Sequence, residues 1–193
     1  MRFAYADPPY IGCAAKLYGD PTYDDERAHV ALVERMDAEF DAWALSMHAP
    51  SLRYLLHKAP QNVRVAAWVK PFASFKPGVD PAYTWEPVVY RTARKWSREQ
   101  PTVRDYHSAN ITLKQGLAGA KPASFCYWIF DLLGASPSDD FEDLFPGTGA
   151  VTKAWDVWRR DRMVDQGSLF GAESANRAPT HEELVNLIEG REP

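Results

Sequence analysis

A short apolar run that ends at a doubled proline constrains this chain more than any other feature. Phe3 to Ala6 are apolar, and the next residues are Asp7-Pro8-Pro9-Tyr10. An apolar run bounded by a helix- and strand-breaker is typical of a buried strand in a parallel sheet. Because proline has no backbone N–H and a fixed φ, the hydrogen-bond ladder must end there. Asp7 is therefore predicted at the carboxyl end of a central strand, where open α/β sheets bind ligands.

The residues of this corner, Asp7–Tyr10, favour one kind of ligand. The Asp7 carboxylate and the carbonyl oxygens at the prolines accept hydrogen bonds, and Tyr10 offers an aromatic face. A planar ligand with an NH2 group matches this set, since the oxygens accept its hydrogens and the ring stacks on its π-face. Four residues alone leave one alternative open: a surface corner that the prolines make rigid and that binds no ligand.

The rest of the chain alternates between helix-like and strand-like segments. Helices are predicted over residues 24–38, 50–56 and 121–133 and from residue 150, and strands over 43–47, 63–69, 83–90 and 141–145. The 83–90 strand contains Pro87, which is typical of an edge strand. The alternation predicts an α/β fold with a layered sheet and helices on both faces.

A second turn, rich in glycine, follows the last predicted strand. Pro146 to Gly149 reads Pro-Gly-Thr-Gly, and a helix is predicted from Ala150. Glycines let backbone N–H groups approach a carboxylate or phosphate, and a helix N-terminus favours negative charge. The turn lacks the third glycine of the dinucleotide fingerprint and the lysine of a P-loop, so those two nucleotide sites are disfavoured. A strand, glycine turn and helix start predict the cradle of another nucleotide-type cofactor.

Taken together, the two motifs resemble a known enzyme family. The Asp7–Tyr10 corner is similar to the catalytic motif of amino-methyltransferases, which methylate exocyclic NH2 groups with S-adenosylmethionine. The Lys121-Pro122 pair, the helix after it and the 143–149 segment resemble the cofactor-binding region of the same enzymes. The catalytic motif comes first, as in the circularly permuted beta class of DNA amino-methyltransferases. The resemblance covers most of residues 1–160 and implies a compact, permuted, Rossmann-like methyltransferase sheet.

The resemblance implies roles for individual residues, with S-adenosylmethionine as cofactor and DNA as substrate. The implied catalytic residues are Asp7, Pro8, Pro9 and Tyr10. The implied cofactor-binding residues are Lys121, Pro122, Asp143, Phe145, Gly147, Thr148 and Gly149. The target amine would donate to the Asp7 carboxylate and the Pro8 carbonyl, and Tyr10 would stack on a base flipped out of the duplex. Neither a metal nor a nucleophilic side chain is expected to take part.

Adenine N6 is the expected target, because this family couples Asp-Pro-Pro-Tyr mainly to adenine. Three alternatives stay open: methylation of cytosine N4, methylation of an RNA base or protein amide, and a non-catalytic DNA- or clamp-binding module with the same fold. The chain also departs from the family. In the family a carboxylate at the end of the next strand normally holds the cofactor ribose, but here no further strand is predicted after the helix that begins at residue 150, and Asp165 is the single candidate.

Charge is distributed unevenly along the chain. The formal net charge of −4 argues against a uniformly basic nucleic-acid-binding surface, yet residues 20–41 are mostly acidic and residues 91–121 mostly basic. Residues 92–120 are predicted to form a loop-rich basic insertion that contacts a nucleic-acid backbone. The candidate contacts are Arg94, Lys95, Arg98, Arg104 and Lys114. The alternative to nucleic-acid contact is a surface loop that binds no partner.

The chain is expected to divide into a methyltransferase domain over residues 1–162 and a flexible tail over 163–193 that carries a short C-terminal helix. Gln166 to Phe170 resembles the peptide by which many DNA-processing proteins dock on the bacterial sliding clamp. Packing of Leu169 and Phe170 on the core is the alternative to docking.

Cysteine usage and hydropathy indicate the compartment. Cys13 and Cys126 are far apart in sequence and have no metal-binding spacing, which favours reduced thiols. No apolar run approaches the roughly 18 residues of a membrane span, and no secretory leader opens the chain. A cytoplasmic protein without membrane contact is expected.

Overall fold

The computed structural model describes residues 1–72, 78–96, 98, 101–114 and 117–175. For residues 17, 112–114, 117–120 and 165–175 it describes the backbone alone. The strands are β1 (Arg2–Ala6), β2 (Ala42–Ser46), β3 (Arg64–Val69), β4 (Trp85–Arg91), β5 (Tyr106–Ser108), β6 (Thr112–Lys114), β7 (Leu117–Ala120) and β8 (Asp140–Asp143). The α-helices are α1 (Ala14–Tyr18), α2 (Glu26–Glu39), α3 (Leu52–Leu56), α4 (Ala123–Leu133) and α5 (Ala150–Ala175).

Six strands form one mixed sheet in the order β5-β3-β4-β2-β1-β8. β1 lies between β2 and β8 and runs parallel to both. β4 is antiparallel to β2 and to β3, whereas β5 runs parallel to β3. The carboxyl ends of β1, β2, β3, β5 and β8 therefore meet at one edge of the sheet, and β4 begins at that edge. We call it the carboxyl edge.

Helices cover both faces of the sheet, as the alternating segments predicted. Phe3 and Tyr5 of β1 pack with α4 and α5 on one face, and Ala4 and Ala6 pack with α2 and α3 on the other. All four side chains are 0–1 % exposed, because successive residues of a strand point to opposite faces and both faces are covered here. The prediction of β1 as a buried central strand is confirmed.

The prediction that residues 83–90 form an edge strand is wrong, since β4 lies inside the sheet between β3 and β2. Pro87 pairs with Ala67 of β3, and its carbonyl oxygen accepts from the Met47 N–H at 3.1 Å. In an antiparallel ladder the N–H and C=O of one residue point to the same neighbour. The nitrogen of Pro87, which has no hydrogen to donate, therefore points toward β2, and β2 ends at Ser46. The hydrogen bonds between β4 and β3 do not need this donor, so that ladder is intact.

Residues 92–120, predicted as a loop-rich insertion, contain three short strands within their described part. β5 extends the main sheet beside β3, and β6 and β7 form a separate antiparallel pair. The Ala67 N–H donates to the Asp105 carbonyl oxygen at 2.9 Å, and the Trp128 indole N–H donates to the Arg104 carbonyl oxygen at 2.9 Å. β5 is three residues long and is held by partners distant in sequence, so local periodicity does not reveal it.

α5 begins at Ala150, directly after the glycine turn, and continues past the predicted boundary at residue 162. The backbone of Gln166 to Phe170 and of its flanks up to Ala175 is helical, and nothing in the described residues supports clamp docking. The predicted helix near the C-terminus lies outside the described residues. Among the described helices, none combines the length and apolar character that a membrane span requires.

Candidate active site

The Asp7–Tyr10 corner lies at the carboxyl edge, directly after β1. Asp7 keeps 29 % of its side chain exposed. β8 ends beside it, because Tyr5 pairs with Asp143 and the Leu144 N–H donates to the Tyr5 carbonyl oxygen at 2.9 Å. The predicted adjacency of the two motifs is therefore confirmed, although most of the chain separates them in sequence.

A cavity of about 410 Å³ lies between the corner and the glycine turn. Asp7 and Pro9 line it from the corner, and Gly147 and Thr148 line it from the turn. Lys121 lines it from the residue pair that precedes α4. The loop that follows the corner contributes a further wall, with Tyr18, Asp20 and Tyr23. Four separate segments of the chain thus build one concave site.

Two glycines and an aspartate shape the turn after β8. Gly147 and Gly149 have φ of +46° and +72°, left-handed backbone that other residues rarely adopt. Asp143 accepts from the Phe145 N–H at 3.3 Å and from the Thr152 hydroxyl at 3.4 Å, which ties the turn to α5. The described residues that line the cavity do not include Asp143. Its contacts here are with the turn itself.

Aromatic rings form one wall of the cavity. The rings of Tyr23 and Phe145 meet edge to face, with centroids 5.0 Å apart. Both residues are half-buried and line the cavity together with Tyr18. This wall offers aromatic surface against which a planar ring can pack, while the glycine turn at the start of α5 offers backbone N–H groups to an anion.

Beside the cavity, the ammonium of Lys121 joins two carboxylates. Lys121 Nζ lies 3.1 Å from Asp7 Oδ1 and 2.7 Å from Glu86 Oε1. The side chains of Lys121 and Glu86 are 7 % and 4 % exposed, so their ion pair is almost fully removed from water. Burial opposes the charge of Lys121, but Asp7 and Glu86 outweigh burial and raise the pKa of Lys121 above its ordinary value.

Glu86 accepts hydrogen bonds on both of its oxygens. Its Oε2 accepts from the Tyr10 hydroxyl at 2.9 Å and from Lys70 Nζ at 2.7 Å. The Trp68 ring lies 4.5 Å from Lys70 Nζ and 4.9 Å from Lys121 Nζ, which adds cation–π contacts to both ammoniums. Burial opposes ionisation of Glu86, yet Lys121 and Lys70 lower its pKa to about 2. Glu86 is therefore an anion at neutral pH.

The pKa of Asp7 and the pKa of Glu86 shift in opposite directions, although the two carboxylates share Lys121. Burial raises the pKa of Asp7, and the opposing charge of Lys121 does not cancel that effect, in part because the Glu86 anion acts in the same direction as burial. Glu86 holds ion pairs with two ammoniums, whereas Asp7 holds one with a single ammonium and lies on the cavity. Asp7 is the acceptor of this cluster that a ligand can reach.

The topology of β4 explains why Glu86 reaches this site. β4 runs against its neighbours, so its second residue lies at the carboxyl edge, opposite Trp68 of β3. Lys70 directly follows β3 at the same edge. Glu86, Lys70 and Trp68 are not among the site residues predicted from the sequence. The available signal is a glutamate inside an otherwise apolar strand, since a buried carboxylate requires charged or hydrogen-bonding partners.

Tyr10 is held on two sides. Its hydroxyl donates to Glu86, and its ring stacks on the His48 ring with centroids 5.2 Å apart and an interplanar angle of 19°. His48 in turn meets the Tyr83 ring edge to face at 5.1 Å. Burial, followed by the negative charge of Glu86, raises the pKa of Tyr10, so its hydroxyl remains a hydrogen-bond donor at neutral pH.

The basic residues predicted to contact nucleic acid have different environments. Arg94 donates to both oxygens of Asp139, at 2.5 and 2.7 Å, and to the Gly134 carbonyl oxygen. Arg104 donates to the Tyr106 hydroxyl at 3.0 Å. Lys95 and Arg98 are exposed, and the side chain of Lys114 lies outside the described residues. Arg94 thus makes internal contacts, while Lys95 and Arg98 are open to a partner.

Both cysteines are free thiols. Cys126 is buried in α4, where burial raises the pKa of its thiol to about 12, and Cys13 is half-buried after the corner. Within the described ranges, no cluster of three or more His, Cys, Asp or Glu side chains is arranged to hold a metal ion.

Comparisons with known proteins support the fold. No protein-family model matches the chain, and no curated protein is significantly similar to it. Among solved structures, the M1.HpyAVI–SAM complex is similar with a TM-score of 0.53 and 15 % identity, over 81 % of this chain and 77 % of that one. A second structure of M1.HpyAVI has a TM-score of 0.47 and 15 % identity, over 82 % and 76 %. The first likeness shows a shared α/β fold and confirms the predicted fold class.

Proposed function

We propose that this protein is an S-adenosylmethionine-dependent amino-methyltransferase that acts on DNA, with adenine N6 as its target. One observation carries the proposal: the corner that starts at Asp7 and the glycine turn at 147–149 line the same cavity at the carboxyl edge. Ligands of open α/β sheets bind at this edge. The M1.HpyAVI structure with the higher TM-score is a complex with SAM, which supports the same cofactor here.

The residues of the cavity fit this cofactor. A volume of about 410 Å³ lies within the range of roughly 300–1,000 Å³ that small-molecule sites occupy. We assign the adenine ring to the wall formed by Tyr23 and Phe145, and the carboxylate to the glycine turn at the start of α5. Asp20 lines the cavity and is the carboxylate that we assign to the ribose hydroxyls. The side chain of Asp165, the candidate from the sequence, lies outside the described residues.

When bound, S-adenosylmethionine supplies an electrophilic methyl group. Asp7 acts on the other reactant: in its ionised form it accepts a hydrogen bond from the target NH2 group, and the Pro8 carbonyl accepts the second. These bonds hold the nitrogen lone pair in one direction, and alignment of this kind is a large source of rate. Tyr10 provides the surface on which the target base stacks.

DNA is the proposed substrate because the Asp7 corner suits a planar ring with an exocyclic amine, and adenine in DNA is such a ring. Lys95 and Arg98 follow the end of β4 that lies away from the cavity, and both are exposed and available to phosphates of the duplex. The side chains of Trp96 and Tyr106 are partly exposed and available to bases. The Asp-Pro-Pro-Tyr sequence favours adenine over cytosine. We also propose a cytoplasmic location, which is supported by the proposed activity on DNA and by free thiols that suit a reducing compartment.

A labelling experiment tests the proposal. The protein is incubated with labelled S-adenosylmethionine and unmodified genomic DNA, and the DNA is digested to nucleosides. We expect labelled N6-methyladenine. Labelled N4-methylcytosine would show that the target is cytosine instead. Label that enters added RNA or protein but not DNA would contradict the proposal that DNA is the substrate. Demonstrated cofactor binding without any transfer would contradict the enzymatic activity.

The Asp7→Ala variant locates the chemistry. We expect it to reduce methyl transfer by about 10²-fold or more, because it removes the acceptor that orients the amine. Cofactor affinity, measured by calorimetry, should stay close to that of the wild type. A variant that methylates DNA at the wild-type rate would show that the reaction takes place elsewhere.

A further inference from the structure

We propose that Glu86 is a positioning residue that holds both ends of the Asp7–Tyr10 corner: Tyr10 directly, and Asp7 through the shared Lys121. The inference rests on the proposed methyltransferase function. It concerns a residue of β4 that belongs to neither of the two sequence motifs.

The contacts of Glu86 connect the two ends of the corner. Glu86 Oε2 accepts from the Tyr10 hydroxyl at 2.9 Å, and Glu86 Oε1 accepts from Lys121 Nζ at 2.7 Å. The same Nζ lies 3.1 Å from Asp7 Oδ1. Glu86 is 3 % exposed, and Lys70 provides a third donor. Hydrogen bonds to an ionised acceptor are shorter than those between neutral groups and about twice as strong.

The position of Tyr10 follows from these contacts. A tyrosine ring is fixed when its hydroxyl is anchored and one face is covered, and here Glu86 binds the hydroxyl while His48 covers one face. A target base is thereby directed to the opposite face. Because the raised pKa of Tyr10 keeps the hydroxyl protonated, the anchor persists across the neutral pH range.

The position of Asp7 follows from the sharing of Lys121. Lys121 lies between the two carboxylates, and its contact with Glu86 keeps the ammonium on the Oδ1 side of Asp7. Asp7 Oδ2 is the oxygen that we assign to the target amine. Without the Glu86 charge, Lys121 would pair with Asp7 alone, and the Asp7 carboxylate would be a poorer acceptor for a ligand.

A purely architectural ion pair is the alternative, and the protein contains a matched example. Asp139 is also 3 % exposed and accepts hydrogen bonds from Arg94 and from the N-terminal ammonium. It precedes β8, at the edge of the sheet opposite the cavity. Removing either carboxylate breaks two ion pairs made by a buried acid, so both losses destabilise the fold. Asp139→Asn is therefore the control for Glu86→Gln.

The test compares Glu86→Gln with Asp139→Asn and the wild type. In Glu86→Gln we expect kcat for DNA methylation to fall about 10- to 100-fold, the loss typical of a misplaced reacting group, with S-adenosylmethionine affinity within about threefold of wild type. The acidic limb of the kcat–pH profile should move to lower pH, because the Glu86 charge no longer raises the pKa of Asp7. Asp139→Asn should lower thermal stability but leave kcat and the pH profile unchanged.

A double-mutant cycle adds a readout that a structural role would not change. Tyr10→Phe keeps the ring and removes the hydroxyl that Glu86 binds. If Glu86 acts partly through Tyr10, Glu86→Gln should cost less activity in the Tyr10→Phe background than in the wild type. If Glu86→Gln does not fold, Tyr10→Phe carries the test, with a lower kcat and an unchanged cofactor affinity expected.

The results separate this inference from the proposed function. A wild-type protein that methylates DNA, together with a Glu86→Gln variant of wild-type kcat and pH profile, would overturn the positioning role alone. The same holds if the unfolded fraction of Glu86→Gln accounts for all the activity that this variant loses. A wild type that binds S-adenosylmethionine but transfers no methyl group would overturn the function and, with it, this inference.

Discussion

The contrast between Asp7 and Glu86 shows how much the surroundings of a single residue matter. Each is an acid at the carboxyl edge, and Lys121 contacts both. Burial raises the pKa of Asp7, whereas Lys121 and Lys70 overcome burial and lower that of Glu86 to about 2. The number of ammoniums in contact decides the outcome. Glu86 is thereby suited to a permanent structural charge, and Asp7 to contact with a ligand.

At the same scale, Asp20 provides a test of the cofactor assignment. Asp20 lines the cavity, and its Oδ1 accepts from the N–H and the hydroxyl of Thr22. Asp20→Ala should weaken S-adenosylmethionine binding about 10- to 100-fold, since a hydrogen bond to a charged group contributes about 1.5–3 kcal/mol. Calorimetry measures the change. Glu26→Gln, a half-buried acid of α2 that does not line this cavity, is the control, and equal affinities in all three proteins would contradict the ribose assignment.

At the scale of elements, the glycine turn joins β8 to α5 through backbone that only glycine adopts readily. An added methyl group at Gly147 would meet its nearest atom, the Phe145 carbonyl oxygen, at an ordinary 3.8 Å, and none lies within 4 Å at Gly149. Space is thus available at both positions. Glycine is required at these positions because φ is positive. The turn built from this backbone places the N-terminus of α5 against the cavity.

Gly149→Ala should therefore act on both stability and binding. We expect a loss of about 1–2 kcal/mol in the free energy of unfolding, from left-handed backbone in a residue with a Cβ, and a weaker affinity for S-adenosylmethionine. Gly134→Ala at the end of α4 is the matched control, because its φ is +70° and it lies away from the cavity. Urea unfolding and calorimetry measure both effects. Loss of affinity in Gly134→Ala as large as in Gly149→Ala would show that the turn has no specific role.

The segment after β4 makes a second prediction at this scale, because its basic residues differ in burial and contacts. Arg94 contacts Asp139 through two hydrogen bonds, whereas Lys95 and Arg98 are exposed. Arg94→Ala should lower the free energy of unfolding by about 1–3 kcal/mol, since it leaves a buried carboxylate without its main partner. The double change Lys95→Ala with Arg98→Ala should leave stability unchanged and weaken DNA binding.

Urea unfolding and a DNA-binding titration at two salt concentrations distinguish these outcomes. The salt dependence of binding should decrease in the double variant, because fewer phosphates are contacted. If Arg94→Ala weakens DNA binding and the Lys95→Ala, Arg98→Ala double change does not, then Arg94 is the residue that contacts DNA and the assignment of Lys95 and Arg98 is wrong.

At the scale of the whole molecule, the sheet topology assembles the site. Parallel strands bring the ends of β1 and β8 together, and the reversed β4 adds Glu86 to the same edge. The ion pairs of Glu86 with Lys70 and Lys121 join residues that are far apart in sequence, so they exist only in the folded chain. Folding stability must therefore depend on the charge of Glu86.

The sign of that dependence follows from the pKa of Glu86. In the unfolded chain the pKa lies near 4.5, and folding lowers it to about 2. The stabilisation is therefore present above pH 4.5 and is lost as the pH falls toward 2. Urea unfolding of the wild type and of Glu86→Gln at a series of pH values should give a difference in free energy that shrinks across this window. A difference that is constant down to pH 3 would contradict the ion-pair assignment.

The sequence was sufficient for those features that local chemistry decides. Phe3 to Ala6 as a buried strand, its end at the prolines and the stop of α4 at Gly134 follow from apolar runs, missing donors and glycine conformation, and all are observed. The position of β4 was not predictable in this way. Pro87 indicates an edge in isolation, but β2 ends where the proline donor is missing, and this depends on the register between distant strands.

The sequence by itself determined the α/β fold class, the corner at Asp7 and the glycine turn at 147–149, because each depends on residues adjacent in the chain. Only the tertiary structure decided that Lys121 contacts Asp7, that Glu86 binds both Lys121 and Tyr10, and that Arg94 pairs with Asp139. These are charge contacts between segments far apart in sequence. Their strength comes from burial and distance, which exist only once the strands have taken their order in the sheet.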